Sequence, residues 1–311
     1  MNKLERIACV TGASGMVGSR IIRKLLCEDY KVRVLTRNKT FDVPGTELFT
    51  GGLENEDIFA SFLSGAHLLF HCAAELKDEA RMWEVNVLGT ERLLKYAGKS
   101  GVRYFCHLSS VGVVGKTNFA WVNEETACNP QNIYERTKWE AEKLVAGGID
   151  GCRVIILRPT NVIDEKQPGA LALVMYRSFL NRVRIFIKGG ECAHIIHADD
   201  VASAALHFIS SSFDNPQCFI VSTDHEPLNT YGELWNLCKA ISKGSQQESI
   251  APVLHLPVIV PHLVRLLKRG KSNRGNVRYS SAKLMSADFI FPLGIKRAVQ
   301  QVIQIGKTGE I

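Results

Sequence analysis

A glycine-rich turn close to the start of the chain restricts the fold more than any other feature. Residues 11–18 read Thr-Gly-Ala-Ser-Gly-Met-Val-Gly. An apolar, β-branched stretch over residues 6–10 precedes the turn, and residues 15–27 follow it with apolar side chains on one helical face. This strand–turn–helix context predicts a dinucleotide-binding unit, because such a turn brings a pyrophosphate to the positive N-terminus of the helix.

Each glycine of the turn has its own expected role. Gly12 permits the tight bend, Gly15 lets the backbone approach the pyrophosphate, and Gly18 lets the helix pack closely on the strand. A glycine turn without a ligand is the competing interpretation, and the flanking strand and helix argue against it. The other turn residues predicted to bind the dinucleotide are Ser14, Met16 and Val17.

Short strands and helical segments alternate through the first half of the chain. Further strands are predicted at 31–36, 47–49, 67–71, 104–108 and 153–157, and further helices at 56–63, 86–99 and 133–146. This alternation predicts an α/β fold with a doubly wound parallel sheet of the Rossmann type. We expect a dinucleotide-binding domain over residues 1–160, to which the chain returns at about 197–223. A smaller substrate-binding lobe is expected over 161–196 and 224–311.

The composition is typical of a globular enzyme from a reducing compartment. Hydrophobic residues make up 46% of the chain and charged residues 22%, which excludes a disordered chain. The nine cysteines are scattered and form no Cys-x-x-Cys pair, so we expect neither a disulfide framework nor a metal site. No apolar run is long enough to span a bilayer, and the N-terminus carries no apolar signal segment. These features predict a cytoplasmic location.

The end of the second predicted strand bears on the choice of cofactor. In dinucleotide-binding folds an acid at this position accepts the ribose 2′-hydroxyl of NAD, whereas an arginine accommodates the 2′-phosphate of NADP. Here the position is occupied by Arg37, with Lys39 nearby. The sequence therefore favours NADP over NAD, and a solvated surface arginine is the competing interpretation.

A Tyr-x-x-x-Lys pair lies on the helix predicted after the fifth strand. Tyr134 and Lys138 share one helical face, and a neighbouring cation lowers the pKa of a phenol from its usual value of about 10. Tyr134 is therefore a candidate acid and base for a carbinol or ketone, and Ser110 is placed to donate to the same oxygen. A second copy, from Tyr279 to Lys283, lies far from any predicted sheet edge and is interpreted as a coincidence.

These motifs, taken in order, make the chain resemble an extended short-chain dehydrogenase/reductase of the NAD-dependent epimerase/dehydratase family. The resemblance runs from about residue 6 to about residue 303. Besides the glycine turn and the Tyr-x-x-x-Lys pair, it rests on His71-Cys72-Ala73-Ala74, Asn86-Val87-Leu88-Gly89-Thr90, Leu108-Ser109-Ser110, Arg158-Pro159-Thr160-Asn161-Val162 and His197-Ala198-Asp199-Asp200-Val201. Each segment is weak alone, and their order along one chain makes the resemblance specific.

The resemblance implies a role for each matching position. Tyr134 would be the acid and base, Lys138 would lower its pKa and bind the nicotinamide ribose, and Ser110 would polarise the substrate oxygen. The other implied positions are Ala73 and Ala74 along the cofactor, Leu53 at the adenine, Pro159 before the backbone that meets the carboxamide, and Asn161 at a substrate phosphate.

Three departures from the family pattern limit what is carried over. Gly52 stands where many relatives have an aspartate that holds the adenine. Ile163-Asp164 replaces a Tyr-Gly pair, which implies a different substrate wall. Val111-Gly112 stands where the dehydratases of the family have Asp-Glu, so no acid/base pair is available to eliminate water. A dehydratase is therefore not expected.

The excess positive charge is concentrated in one C-terminal segment. Between Ser249 and Ala287 there are seven basic residues and no acid, and the rest of the chain has 31 of each. The segment is interpreted as a helix with a solvated loop, as a grip by Arg274 or Arg278 on a diphosphate, or as a membrane-surface contact through residues 253–278. Nucleic acid is not expected as a partner, because no base-stacking module accompanies the charge.

Three functions stay open at this point. The first is an NAD(P)-dependent epimerase or 4-ketoreductase that acts on a nucleotide-linked or lipid-diphosphate-linked sugar, and Arg37 favours the reductase. The second is an NADPH-dependent reductase of a non-sugar ketone, similar to dihydroflavonol reductases and 3β-hydroxysteroid dehydrogenases. The third, a cofactor-binding regulator without turnover, is disfavoured by the intact Ser110, Tyr134 and Lys138. A small-molecule substrate and a second copy, in a homodimer, are the predicted partners.

Overall fold

The structure, a computed structural model, describes residues 6–176, 178–211, 216–242, 253–269 and 275–308. The strands are β1 (Ile7–Thr11), β2 (Lys31–Thr36), β3 (Thr46–Thr50), β4 (Leu68–His71), β5 (Tyr104–Leu108), β6 (Trp121–Val122), β7 (Arg153–Pro159), β8 (Asn161–Ile163), β9 (Ile195–His197), β10 (Gln217–Val221) and β11 (Arg278–Tyr279). The α-helices are α1 (Met16–Cys27), α2 (Phe59–Leu63), α3 (Glu79–Met82), α4 (Gly89–Lys99), α5 (Ile133–Ala146), α6 (Ala172–Met175), α7 (Phe179–Lys188), α8 (Ala198–His207), α9 (Tyr231–Ser242), α10 (Ile259–Arg269), α11 (Ala282–Ser286) and α12 (Gly294–Thr308).

Seven strands form one sheet in the order β3-β2-β1-β4-β5-β7-β10. The pairs from β3 across to β7 are all parallel. The chain passes from β1 to β2 and β3, and then crosses to the other side of β1 to form β4. The strand order therefore reverses between β1 and β4, and ligands of doubly wound sheets bind at the carboxyl ends of the strands at such a point. The predicted α/β fold with a doubly wound parallel sheet is confirmed.

Apolar periodicity accounts for where most of these elements begin and end. β2, β5 and α5 have the bounds that the sequence predicts, and β1 and β4 are buried along their whole length. The helix predicted over 86–99 differs, because it starts as a π-helix over Trp83–Leu88 and becomes α-helical only at Gly89. A Cβ at Gly89 would lie 2.6 Å from the Cβ of Leu53, so glycine is needed for this packing.

The chain forms two compact units. One consists of residues 1–115, 130–158 and 201–219, and the other of residues 116–129, 159–200 and 220–311. Residues 116–129 fall within the predicted dinucleotide-binding domain, 1–160. In the structure β6 pairs with β11, and Glu124 accepts a hydrogen bond from the backbone N–H of Ile220, so the second unit holds this segment.

Each unit has an apolar core of its own. The core of the first unit lies between the sheet and its flanking helices and includes Phe59, Phe62, Leu93 and Phe105. The core of the second unit joins β8 and β9 to α9 and α12 and includes Ile163, Ile195, Leu234 and Val299. Within the described ranges, none of the helices has the length and apolar character needed to cross a bilayer.

Candidate active site

The glycine turn joins β1 to α1 at the carboxyl edge of the sheet, in the first unit. Gly12 has a φ of 72°, in the left-handed region that side chains disfavour. A Cβ at Gly12 would lie 2.6 Å from the backbone nitrogen of Ala73, which follows β4 together with the half-buried Ala74. Both the bend and the close approach of two strand ends therefore require glycine at position 12.

The N-terminus of α1 is open to an anion. Gly15 caps the helix without a side-chain hydrogen bond, and the first turn contains no acid. A Cβ at Gly18 would lie 2.3 Å from the carbonyl oxygen of Gly12, so glycine there lets the helix pack on the turn. The first N–H groups of a helix have no partner within it, so this end fits the pyrophosphate of a dinucleotide. Among the predicted turn residues, Ser14 and Gly15 are exposed, Met16 is half-buried and Val17 is buried.

A buried chain of hydrogen bonds connects the turn to α5. The Thr11 hydroxyl lies 2.8 Å from Nδ1 of His71, and Nε2 of His71 lies 2.9 Å from the Thr90 hydroxyl. Thr90 donates to the carbonyl of Asn86, whose side-chain amide donates to the Thr137 hydroxyl. The Thr90 hydroxyl donates to the Asn86 carbonyl, so it can only accept from His71. His71 therefore donates from Nε2 and accepts at Nδ1. Burial lowers the pKa of His71 to about 3, which keeps the ring neutral and the pattern fixed.

Arg37 follows β2 with its guanidinium 3.7 Å from the carboxylate of Glu75. This separation is longer than a hydrogen bond, so the N–H groups of the guanidinium are not taken up by Glu75. The Arg37 side chain is 54% exposed, whereas Glu75 accepts hydrogen bonds from three backbone N–H groups that follow it. These bonds, above all that from Lys77, lower the pKa of Glu75. No motif marks Glu75, so sequence reasoning missed it.

Leu53 is buried, and the neighbouring Glu54 fills the space left by the missing family aspartate. A Cβ at Gly52 would lie 2.3 Å from a carboxylate oxygen of Glu54. The same carboxylate pairs with Arg81 at 3.1 Å. A carboxylate therefore stands where a side chain at position 52 would be, although it comes from position 54. No sequence motif marks this exchange, because the carboxylate lies two positions away from the one that the family pattern predicts.

Tyr134 stands in the first turn of α5, and the Ser110 hydroxyl, just after β5, lies close enough to its phenol to lower the phenol's pKa. Ser110 accepts the N–H of Gly112 at 3.0 Å, so its own proton is free to be donated to the phenol oxygen. The helix begins here because the Asn132 side chain accepts the N–H of Glu135, while the Glu135 carboxylate reaches back to the backbone before the cap. This cap fixes the position of the tyrosine.

Burial raises the pKa of Tyr134, which differs from the expectation that Lys138 would lower it. The Ser110 hydrogen bond acts in the opposite direction, and the Glu135 carboxylate raises the pKa further. The Lys138 ammonium donates instead to the carbonyl of Leu108 at 2.6 Å. Burial lowers the pKa of Lys138 to about 8. At neutral pH the pair therefore consists of a neutral phenol and a charged ammonium.

The two consecutive serines after β5 have different partners. Ser109 is buried and donates to Glu142 at 2.6 Å. Glu142 forms a buried ion pair with Arg158, whose Nε lies 3.1 Å from each carboxylate oxygen. Ser109 therefore hydrogen-bonds within the buried interior. Ser110 is the serine whose hydroxyl lies near Tyr134.

The other predicted residues lie in the second unit or outside the described residues. Pro159 ends β7, and Asn161 begins β8, where its side-chain amide donates to a backbone carbonyl at 2.9 Å. One of the two amide donors of Asn161 is thus used within its own unit. Arg278 donates to the carbonyl of Asp224 at 2.8 Å. Arg274 lies outside the residues that the structure describes.

The second Tyr-x-x-x-Lys copy is not a helical pair. Tyr279 lies in β11 and Lys283 in α11, so the two side chains do not share one helical face. The Tyr279 ring packs edge-on against His194 with 5.1 Å between ring centroids, and its backbone N–H donates to Asp224. This copy therefore lacks the helical geometry of the first, and its interpretation as a coincidence stays a prediction.

Two groups of side chains in the second unit have metal-ligating atoms within 4.8 Å of one another. They are Cys192 with His194 and Asp224, and Glu165 with His197 and Asp199. In the first group Asp224 accepts hydrogen bonds from Nδ1 of His194, at 2.6 Å, and from the amide of Asn229, at 3.0 Å. These contacts satisfy the buried carboxylate within the protein, so its burial alone does not indicate a metal ion.

Comparison with known protein families gives the family to which this chain belongs. Residues 8–221 match the NAD dependent epimerase/dehydratase family, from β1 to the end of β10. The chain belongs to this family. The match includes the glycine turn and the Ser110, Tyr134 and Lys138 positions, so the resemblance found in the sequence is confirmed.

Individual relatives of this family member include enzymes named for sterols. Sterol demethylase protein B of Methylococcus capsulatus is 30% identical over 194 residues, which cover 58% of this chain and 59% of that protein. Sterol-4-alpha-carboxylate 3-dehydrogenase, decarboxylating, of Mus musculus is 24% identical over 278 residues, which cover 83% of this chain and 73% of that protein. The chain spans between 54% and 59% of the length of the first two curated relatives it matches.

Among solved structures, MoeE5 in complex with UDP-glucuronic acid and NAD has the same fold. It superposes with a TM-score of 0.74 over 97% of this chain and 99% of that chain, at 20% identity. At this level of identity the likeness extends to the fold and no further.

Proposed function

We propose that the chain is an NAD(P)-dependent oxidoreductase that moves a hydride between the nicotinamide and a secondary carbinol carbon. The observation that carries the proposal is the Ser110 hydroxyl near the Tyr134 phenol, with Lys138 one turn further along α5, in the unit that contains the glycine turn. A regulator that only binds a cofactor does not need a buried ammonium one helical turn from a half-buried phenol, since burying a charge costs stability.

The bound nicotinamide would supply or accept the hydride, and the side chains handle the proton. In reduction Tyr134 gives its phenolic proton to the substrate oxygen, and in oxidation it takes that proton back. Ser110 donates to the same oxygen and polarises the carbon–oxygen bond. Lys138 favours the phenolate that forms as the proton leaves, because a nearby positive charge stabilises it.

For the substrate we place a sterol-type alcohol or ketone ahead of a sugar. The two relatives named above carry sterol names and are closer in sequence than the neighbour that holds a UDP-sugar. A nucleotide-linked or lipid-diphosphate-linked sugar is the second candidate, with epimerase or 4-ketoreductase activity. Asn161 would then meet the diphosphate with the amide donor that its own unit leaves free. Glu54, in place of an acid at position 52, would accept from the adenine amino group.

The test of the substrate is a matched pair of assays on the purified chain. One assay supplies reduced cofactor and a 3-ketosteroid and follows oxidation of the cofactor by absorbance. The other supplies a UDP-hexose and follows inversion of the carbinol carbon by NMR, with mass spectrometry of any cofactor that stays bound. Turnover of the steroid alone supports the first candidate, whereas inversion with stoichiometric bound NAD(H) replaces it with the second.

Replacing Arg37 by alanine is expected to weaken NADPH binding at least about tenfold and to leave NADH nearly unchanged, because a charge-assisted hydrogen bond contributes about 1.5–3 kcal/mol. The measurement is the dissociation constant of each cofactor by fluorescence titration. Glu75→Gln is the matched control, since it removes the opposing charge 3.7 Å from Arg37 and should tighten NADPH. Equal weakening of both cofactors in Arg37→Ala would refute the preference for NADP.

The rate of ketone reduction is expected to fall as the pH rises through about 8, the pKa of Lys138. Reduction needs a protonated Tyr134, whose pKa is raised, and a charged Lys138, which loses its proton first. The profile of kcat/KM reports the free enzyme, so it should drop about tenfold per pH unit above this point. A profile that stays flat well above the pKa of Lys138 would contradict the need for the ammonium.

A further inference from the structure

Two segments of the second unit expose most of the large apolar side chains that face solvent. Of the twenty such side chains in the described residues, thirteen lie in residues 176–187 and 254–267. They are Tyr176, Phe179, Leu180, Val183, Phe186 and Ile187 in and before α7, and Leu254, Ile259, Val260, Leu263, Val264, Leu266 and Leu267 in and before α10. Single exposed apolar residues are ordinary, but a concentration of them marks a binding surface.

The helix α10 directs its apolar face outward. From Ile259 to Leu267 the apolar positions recur with the spacing of one helical face, and Leu267 is 88% exposed. The opposite face points inward, with Pro261 buried and Arg265 paired with Glu191 at 2.7 Å. A surface helix that packs on its own core has the reverse orientation. The apolar face of α10 is therefore available to a partner outside the chain.

The helix α7 repeats this orientation. Phe179 is 78% exposed, and Val183 and Phe186 follow it one and two turns later on the same exposed face. Asn181 and Ile185, on the other face, are buried. Two helices of one unit thus have the same reversed arrangement.

Direct contacts join the two helices into one surface. The N–H of Leu256, in the segment that leads into α10, donates to the carbonyl of Phe186 in α7 at 2.7 Å. A Cβ at Gly189, just after α7, would lie 2.8 Å from the Cβ of His255. The Arg265–Glu191 pair holds α10 against the same stretch of chain. We name residues 176, 178–188 and 254–268 the α7–α10 surface.

The charge along this surface is positive. Residues 176–190 contain four basic residues and no acid, and residues 253–287 contain seven basic residues and no acid. Arg182 and Arg184 on α7 and Lys268 on α10 are exposed beside the apolar side chains. Apolar side chains flanked by exposed cations complement an anionic bilayer, in which the former enter the acyl region and the latter stay at the headgroups.

We propose that the α7–α10 surface binds an anionic phospholipid bilayer, with both helices lying in the plane of the interface. The 11 residues of α10 are about 16 Å long, too short to cross a bilayer, so the contact is made from one side. The membrane contact that the sequence predicts for residues 253–278 is thereby extended by a second helix, at the inner face of a membrane. The proposal deepens the proposed function, because a sterol or a lipid-linked sugar is dissolved in the bilayer.

Vesicle flotation tests this binding. The full chain is mixed with vesicles of phosphatidylcholine alone or with added phosphatidylglycerol, and the bound fraction is measured after centrifugation at low and high salt. We expect binding only with phosphatidylglycerol, and weaker binding at high salt because exposed charges are screened. The double variant Phe179→Glu/Leu267→Glu should lower the partition coefficient on the order of tenfold or more, since both side chains would have to leave the acyl region. Ile290→Glu is the matched control, because Ile290 is 84% exposed and lies outside both helices.

Two further readouts keep the test decisive. In Leu267→Trp the tryptophan fluorescence should be quenched by lipids that carry bromine on their acyl chains, because residue 267 would lie in the acyl region. Adsorption by charge alone would leave the fluorescence unquenched. No flotation with phosphatidylglycerol, or equal flotation of the double variant, would overturn the proposal. A wild-type dimer that the double variant splits, without flotation of either, would identify a second copy as the occupant instead. Tyr134→Phe should float with vesicles like wild type although it does not turn over substrate. Failure of the proposed function can therefore be distinguished from failure of membrane binding.

Discussion

Tyr134→Phe is expected to lower kcat for ketone reduction about 10³-fold, because the variant keeps the ring and loses the proton that the substrate oxygen receives. Cofactor binding should stay close to wild type, since it relies on the glycine turn and on Lys138. The structure supports this separation, because Tyr134 lies on α5 near Ser110, whereas the glycine turn lies between β1 and α1. Single-turnover rates and cofactor dissociation constants, measured on the same preparation, check both halves of the prediction.

The chain supplies its own control for this variant. Tyr279→Phe removes a hydroxyl from the second Tyr-x-x-x-Lys copy, where the tyrosine lies in a strand and packs on His194. It should leave kcat within about twofold of wild type, as expected for a group that takes no part in the transition state. Comparable losses in both variants, or turnover retained in Tyr134→Phe, would remove Tyr134 from the chemistry.

Glu142→Gln is expected to destabilise the first unit by about 3–5 kcal/mol, because it leaves the buried Arg158 without its counter-charge. The side chains of Arg158 and Glu142 are 5% and 4% exposed, and Glu142 also accepts a hydrogen bond from the Ser109 hydroxyl. A loss of this size should lower the melting temperature by roughly 10 °C. Thermal unfolding followed by circular dichroism measures it.

Glu140→Gln is the matched control on the same helix. Glu140 pairs with Lys143 across one turn at 2.6 Å, with side chains 37% and 49% exposed. An exposed pair of this kind contributes no more than about 0.5 kcal/mol, so the variant should melt close to wild type. If the two glutamine variants melted alike, the buried pair would not be the stabilising feature that its burial indicates.

Much of the fold was predictable because local pattern and global topology agree. β2, β5 and α5 have the predicted bounds, since a short run of β-branched or aromatic residues or a capped amphipathic helix leaves few alternatives. The π-helix over Trp83–Leu88 was not predictable, because apolar periodicity does not distinguish it from the α-helix that follows. The orientation of α7 and α10 was not predictable either. Periodicity shows that a helix has an apolar face, but it does not show whether that face meets the core or solvent.

The candidate site was predictable where spacing along one element carries the geometry. Tyr134 and Lys138 lie four residues apart on α5, and Ser110 follows the strand whose end adjoins that helix. The groups that set their charge were not predictable. Glu75 lies near Arg37 but comes from another strand end, and the Lys138 ammonium donates to a backbone carbonyl. Burial, and not Lys138, sets the direction in which the pKa of the Tyr134 phenol shifts.

Deuterium transfer from the cofactor to the product tests whether the chain catalyses hydride transfer assisted by Tyr134. The purified chain is incubated with a 3-ketosteroid and reduced cofactor in which both hydrogens at C4 of the nicotinamide are replaced by deuterium, and the product is examined by mass spectrometry and NMR. We expect a single deuterium on the new carbinol carbon with wild type, and no labelled product with Tyr134→Phe. Reduced product without deuterium, or labelled product formed as fast by Tyr134→Phe, would contradict hydride transfer assisted by Tyr134.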